Sequence, residues 1–188
     1  MKCETCTIVI VTGLPCTGKT TLAQKIAARF RLPLLTKDMI KETLFDTLGW
    51  QDRAWSRKLS AASVALLYQL LEVQLQAGRS CIVESNFVSE LATPQFRTLQ
   101  SCYAFTPFQI LCVADGETLF ARFVQRAESG QRHPGHVDTT TYDEFRESLR
   151  RGQVAPLDIG GPLIEVDTTD FAALDDEAIF ARIAEALQ

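Results

Sequence analysis

The chain has 188 residues, 19 basic and 23 acidic side chains, and a formal net charge of −4. This acidic balance (pI near 5.2) argues against a non-specific nucleic-acid or membrane surface, and no apolar run approaches the ~20 residues that span a bilayer. Met1 to Cys6 is short and polar, unlike a secretory leader, so we expect a soluble, cytoplasmic protein with one α/β domain over residues 1–188.

Six cysteines are present. Cys3 and Cys6 form a C-x-x-C, but no second pair or Cys/His partner follows, and Cys81 and Cys112 lie in apolar, strand-like runs. Free thiols in a reducing compartment are the expectation.

Ile8-Val9-Ile10-Val11 is a β-branched apolar run of the kind buried in a parallel sheet. Gly13-Leu14-Pro15-Cys16-Thr17-Gly18-Lys19-Thr20 follows and fits G-x-x-x-x-G-K-[ST] at every fixed position. Thr21 leads into an amphipathic helix with Leu22, Ile26, Ala27 and Phe30 at helical spacing. The spacing suits an anion. The two glycines let successive N–H groups turn inward around a phosphate, and the helix start adds unpaired donors and a positive dipole end. Lys19 then reaches the β- and γ-phosphates, and the Thr20 hydroxyl is a Mg²⁺ ligand. This stretch predicts nucleoside triphosphate binding.

Arg31-Leu32-Pro33 ends that helix, Leu34 to Thr36 reads as a second strand, and a helix starts at Lys37. Its apolar side is read as Met39 or Ile40, Thr43 or Leu44, and Leu48. Asp38 lies at a strand's carboxyl end, where open parallel sheets place their ligand crevice. Position alone leaves two roles open: a helix cap, or a carboxylate facing a substrate hydroxyl or a metal's water. Gly49 to Arg57 carries both tryptophans and is read as a mobile segment over the crevice, with packing as the other role for the two rings. A long helix over Ser56–Ala77 follows, closed by Gly78.

Ser80 to Glu84 is the third strand, ending on an acidic residue that suits a metal's water shell. Asn86 is the only asparagine, so the guanine-reading N-K-x-D motif is absent. Phe108 to Val113 is the fourth strand. The helix after it bears Leu119, Phe120, Phe123 and Val124, with Arg122 and Arg126 four apart. Gly130 to His136 breaks the helix, and the pattern resumes from Thr141 to Arg151. This arginine-dotted helix–loop–helix reads as a lid over phosphates, at about 126–145. His133 and His136, the only histidines, fit a loop role better than a zinc site. A fifth strand over Pro162–Thr168 and a last helix over Asp175–Leu187 complete a five-stranded, doubly wound parallel sheet.

In this order GLPCTGKTT, TKDMIK, CIVESNF, ARFVQRAESGQRHPGH and LIEVDTT resemble the P-loop small kinases, over almost the full length. The nearest relatives by these motifs are kinases grouped with zeta toxins, chloramphenicol phosphotransferase and the kinase domain of polynucleotide kinase. The resemblance implies a P-loop NTPase fold, three-layer α/β/α with strand order 2-3-1-4-5 and a helical lid, and ATP with Mg²⁺ as phosphoryl donor. It makes Asp38 the residue facing the acceptor hydroxyl, Arg122 a neighbour of adenine, and Arg126 and Arg132 lid arginines on the transferred group. Glu84 stands where relatives more often carry Asp, and Lys41 where several carry Arg. The expected acceptor is a hydroxyl on a small molecule. A nucleic-acid end kinase stands second, with the acidic charge against it, and an ATPase module without an acceptor third.

Overall fold

The computed structural model describes residues 5–188. Strands β1 (Cys6–Gly13), β2 (Leu34–Thr36), β3 (Cys81–Glu84), β4 (Phe105–Val113) and β5 (Leu163–Asp167) form one sheet in the order β2-β3-β1-β4-β5. All four pairings are parallel. The helices are α1 (Lys19–Phe30), α2 (Lys37–Leu48), α3 (Arg53–Gln76), α4 (Ser89–Cys102), α5 (Gly116–Glu128), α6 (Tyr142–Arg150) and α7 (Asp176–Ala186). None of the described helices is long and apolar enough to cross a membrane.

The period of two in β1 divides its side chains between two cores. Ile8 and Ile10 join Cys81 and Val83 against Leu67 and Leu71 of α3 and Phe96 of α4. Val9 and Val11 join Ile82 and Ile110 against Leu22 and Ile26 of α1 and Ile179 and Ile183 of α7. A third cluster, with Leu14, Leu119, Phe123 and Leu149, ties α5 and α6 to the loop after β1. The carboxyl ends of β1, β2 and β3 therefore open on one crevice beside the order reversal, the place where such sheets bind ligands.

Four features depart from the sequence reading. Helix α4 was not expected: Pro94 interrupts its helical pattern, yet Ala92, Phe96 and Leu99 bury one row against the sheet and hold the helix. Strand β4 starts at Phe105, through Pro107. Gln109 N–H bonds the carbonyl of Pro162 on the β5 side, and residue 107 faces the same way. Because β5 pairs only from Gln109 onward, the missing N–H of Pro107 costs no ladder bond. The tryptophan segment is a short, ordered α2–α3 connection: Asp52 caps α3 through Trp55 N–H at 2.8 Å, and Trp55 Nε1 donates to the Gly49 carbonyl at 2.9 Å. Finally, α2 splits its expected apolar side, with Ile40 packed half-buried against the core and Met39 and Leu48 turned outward. Met39 and Leu48 are 62% and 59% exposed, while Lys41 and Phe45 are buried. Cys3 lies outside the described residues, and Cys6 is buried at the start of β1.

Candidate active site

The loop between β1 and α1 is shaped by backbone conformation. Gly13, Cys16 and Gly18 have φ of 152°, 69° and 73°. A Cβ on Gly13 would collide with the Cys112 carbonyl, and one on Gly18 with the Phe171 ring, so both positions demand glycine. Thr17 is fully buried and its hydroxyl donates to the Leu14 carbonyl at 2.9 Å, bracing the turn. Lys19 Nζ lies over the same loop, donating to Leu14 O at 3.3 Å, and stands 3.9 Å from Glu84 Oε1. The half-buried Cys16 thiol is pushed up by burial, with the Arg126 and Lys19 charges opposing.

Thr20 Oγ1 donates to Glu84 Oε2 at 3.1 Å. Burial raises the Glu84 carboxyl, and Lys19 pulls the other way. A hydroxyl and a carboxylate make a hard-oxygen pair that fits Mg²⁺, which keeps several waters and takes phosphate oxygens rather than an all-protein cage. The described residues contain no cluster of three His, Cys, Asp or Glu side chains placed to hold a metal.

Thr36 caps α2, its hydroxyl accepting from Met39 N–H at 3.2 Å. Asp38 is therefore released from capping, and its carboxylate points into the crevice. Arg132 Nη2 donates to Asp38 Oδ2 at 2.9 Å, and Lys37 Nζ stands 3.5 Å from Oδ1. Burial alone would raise this carboxyl, but the Arg132 and Lys37 charges hold it well below the ordinary carboxylate range. Asp38 is ionised throughout the physiological range.

The segment carrying Arg132 is pinned to α2. His136 is buried and its Nδ1 faces Arg132 Nη2 at 3.0 Å. Because guanidinium only donates, Nδ1 accepts, and Nε2–H donates to Glu42 Oε1 at 2.9 Å. Burial, helped by the Arg132 charge, lowers the His136 pKa to about 2, so the ring is neutral. His133 stacks on Phe45 with centroids 5.0 Å apart and reaches Asp46 at 3.1 Å. Gly135 lies so close to Phe45 that a Cβ there would meet the ring at 2.6 Å. The residues 38, 42, 45 and 46 are one face of α2, which is why this helix turns its polar side inward.

Asp138, which the sequence did not single out, ties Arg126 and Arg132 together, with Arg126 Nη2 at 3.2 Å and Arg132 Nε at 3.1 Å from one oxygen. Arg126 Nε is buried without a hydrogen-bond acceptor, as expected of a donor available to an anion, whereas Arg132 Nε is ion-paired with Asp138 without an aligned hydrogen bond. Lys41 is also buried, donating to Ser56 Oγ at 2.9 Å and standing over the Phe45 ring at 5.2 Å. Burial, then the Lys37 charge, lower its pKa to about 8. Arg122 is placed apart: it donates to the carbonyls of Thr168 and Thr169 at 3.0 and 2.8 Å, and the Phe171 ring lies on its guanidinium at 4.1 Å. Phe171 also escaped the sequence reading, because nothing local links it to the glycine loop 150 residues away.

Two cavities meet at Asp38. One, of about 520 Å³, lies over the glycine loop and is lined by Lys19, Thr20, Arg122, Arg126 and Phe171. The other, of about 250 Å³, is lined by Lys37, Lys41, Arg53 and His136. Lys19, Asp38, Arg126 and Arg132 line both, so the four residues expected to act together do share one wall.

Residues 8–151 match the family of the AAA domain. A solved structure from Chloroflexus aurantiacus, described as a candidate kinase, is 44% identical, with 98% of this chain and 100% of that one covered and a TM-score of 0.89. A sugar kinase from a Janibacter species shares the fold alone, at 15% identity, TM-score 0.58 and coverage of 98% and 95%. No curated protein matches. The profile spans most of the chain and the Chloroflexus protein matches it end to end, so the chain belongs to the AAA-domain family of P-loop kinases.

Proposed function

We propose that the protein transfers the γ-phosphoryl group of ATP to a hydroxyl of a small-molecule acceptor. The observation that carries this reading is the position of Asp38 on the wall shared by the nucleotide-sized cavity and the inner polar chamber. ATP binds with its phosphates on the amides of Gly13–Thr21 and its base near Arg122 and Phe171. Thr20 and, through water, Glu84 hold Mg²⁺, which when bound neutralises charge on the phosphates.

In the transfer, the bond from the γ-phosphorus to the bridging oxygen of ADP breaks as a bond to the acceptor oxygen forms. The hydroxyl proton passes to Asp38 or to solvent late in the step, once the attacking oxygen has become acidic. A carboxylate held so firmly ionised is a poor base toward a neutral alcohol, so its main work is to orient the hydroxyl. Lys19, Arg126 and Arg132 meet the charge that spreads over the equatorial oxygens. For the arginines this means exchanging Asp138 for phosphate, which residues 126–145 accomplish as a lid, in a domain comprising residues 1–188.

Phosphorus NMR of MgATP with sugars, nucleosides, other hydroxyl metabolites and 5′-hydroxyl oligonucleotides tests the reading. A new phosphoester on a small molecule supports it. Transfer confined to oligonucleotides, or slow hydrolysis unaffected by any acceptor, overturns it.

A further inference from the structure

A second cavity, of about 650 Å³, borders the inner chamber between α3, α4 and the β3–α4 connection. Lys37, Ser60 and Asn86 line both spaces and form the waist between them. The chemistry changes sharply across this waist. Inside stand Lys41, Arg53, Arg132 and Asp38; beyond it the walls are Ala61, Val64, Ala65, Tyr68, Val88 and Leu91. Leu91 is 72% exposed and Val88 49%, although the buried Phe87 and Phe96 beneath them show that the sheet side of this region is well filled. Apolar side chains facing one another across an open space gain from an apolar occupant, at about 25 cal/mol per Å² covered. A simple polyol would leave that surface wet and occupy the inner chamber alone.

Resting on the kinase reading above, we infer that the acceptor is amphipathic, with its reactive hydroxyl beside Asp38 and an apolar body lodged between α3 and α4. Its polar groups next to the hydroxyl meet the waist. Among the described residues the side chains of Ser60 and Asn86 make no hydrogen bond within the protein, and Lys37 has only its ion pair with Asp38, so all three are available to such groups. The wall of Lys37, Ser60 and Asn86 common to the two cavities commits the outer one to the same molecule that reaches Asp38, rather than to a separate partner.

The test compares 3-phenoxy-1,2-propanediol with glycerol, which offer the same diol with and without an aryl body. With MgATP, kcat/KM for the aryl diol exceeds that for glycerol at least tenfold. Ala65→Trp, at an exposed helix position, removes that preference, and the milder Ala65→Leu removes part of it; ATP affinity by calorimetry and the thermal midpoint report that each variant is folded. Ligand-observed NMR with a non-hydrolysable ATP analogue shows the phenoxy protons, not the glycerol, in contact with the protein. Equal kcat/KM for the two diols, equal losses for both in Ala65→Trp, or no contact from the aryl diol overturns the inference. Phosphorylation of glycerol without an aryl preference would do so while sparing the kinase reading; failure to bind ATP strikes that reading first.

Discussion

One end of the crevice is lined by neighbours in sequence, Cys16, Gly18, Lys19, Thr20 and Thr21, whereas the other depends on side chains as far apart as Asp38 and Arg132, 94 positions along the chain. The first is a backbone device. Its donors are backbone N–H groups, present in every residue of the loop but Pro15, and the glycines permit the turn that aims them. The second is a charge network, with Asp38, Glu42 and Asp138 set against Arg126, Arg132 and Lys41 around a neutral His136. The difference teaches that, under the proposed function, the glycine-loop end is vulnerable to lost amide geometry or a lost phosphate cation, and the Asp38 end to lost charge balance and to pH.

Removing the one phosphate lysine tests the first end most severely. Lys19→Ala should lower kcat/KM by about 10³-fold or more, measured as ADP release with any accepted alcohol. Asp38→Asn should separate the two ends: transfer falls by roughly 10²–10⁴-fold, while calorimetry finds ATP binding retained. Equal loss of ATP binding in both variants would erase the distinction between the ends.

Lys41 offers a subtler test through stability. Its folded pKa of about 8 lies below the ordinary 10.5, so between these values the unfolded chain binds more protons and stability rises with pH. Denaturant titrations of wild type and Lys41→Met at pH 8 and 10.5 should differ in that rise by on the order of 3 kcal/mol. His136 acts at the acid end. With a folded pKa near 2 against 6.5, its contribution is complete above pH 6.5 and is lost as pH falls. By pH 5 the loss is about 2 kcal/mol, and His136→Gln should flatten that limb while Lys19→Ala should not. The smallest effect is the cap: Thr36→Ala should cost about 1 kcal/mol, read as a lowered denaturant midpoint, and should slow transfer because Asp38 is then drawn toward the vacant cap.

The two ends also differ in how far they could be read from the chain. The glycine loop, its flanking strand and helix, and the strand order implied by the kinase resemblance all recur in the structure. Arg126, Arg132 and Asp38 do share a wall. The face of α2 did not follow from hydrophobicity, because a helix bordering a polar crevice buries Lys41 and leaves Met39 and Leu48 in water. Helix α4 was hidden by Pro94, whose local cost is offset by a buried row visible only in three dimensions. Position in the sequence alone left Asp38 open between cap and crevice, the kinase resemblance favoured the crevice, and in the structure Thr36 holds the cap.

By itself, then, the sequence determined the elements whose signal is local: β-branched runs that must be buried, a glycine spacing that bends the backbone around an anion, and the helix that follows it. Only the tertiary structure decided that Asp138 joins Arg126 and Arg132, that His136 is neutral, that Phe171 lies over the glycine loop, and that an apolar cavity borders the chamber Asp38 lines. The reason is physical. Backbone conformation responds to neighbours in sequence, whereas the charge state and accessibility of a side chain depend on what the fold brings within a few ångströms of it.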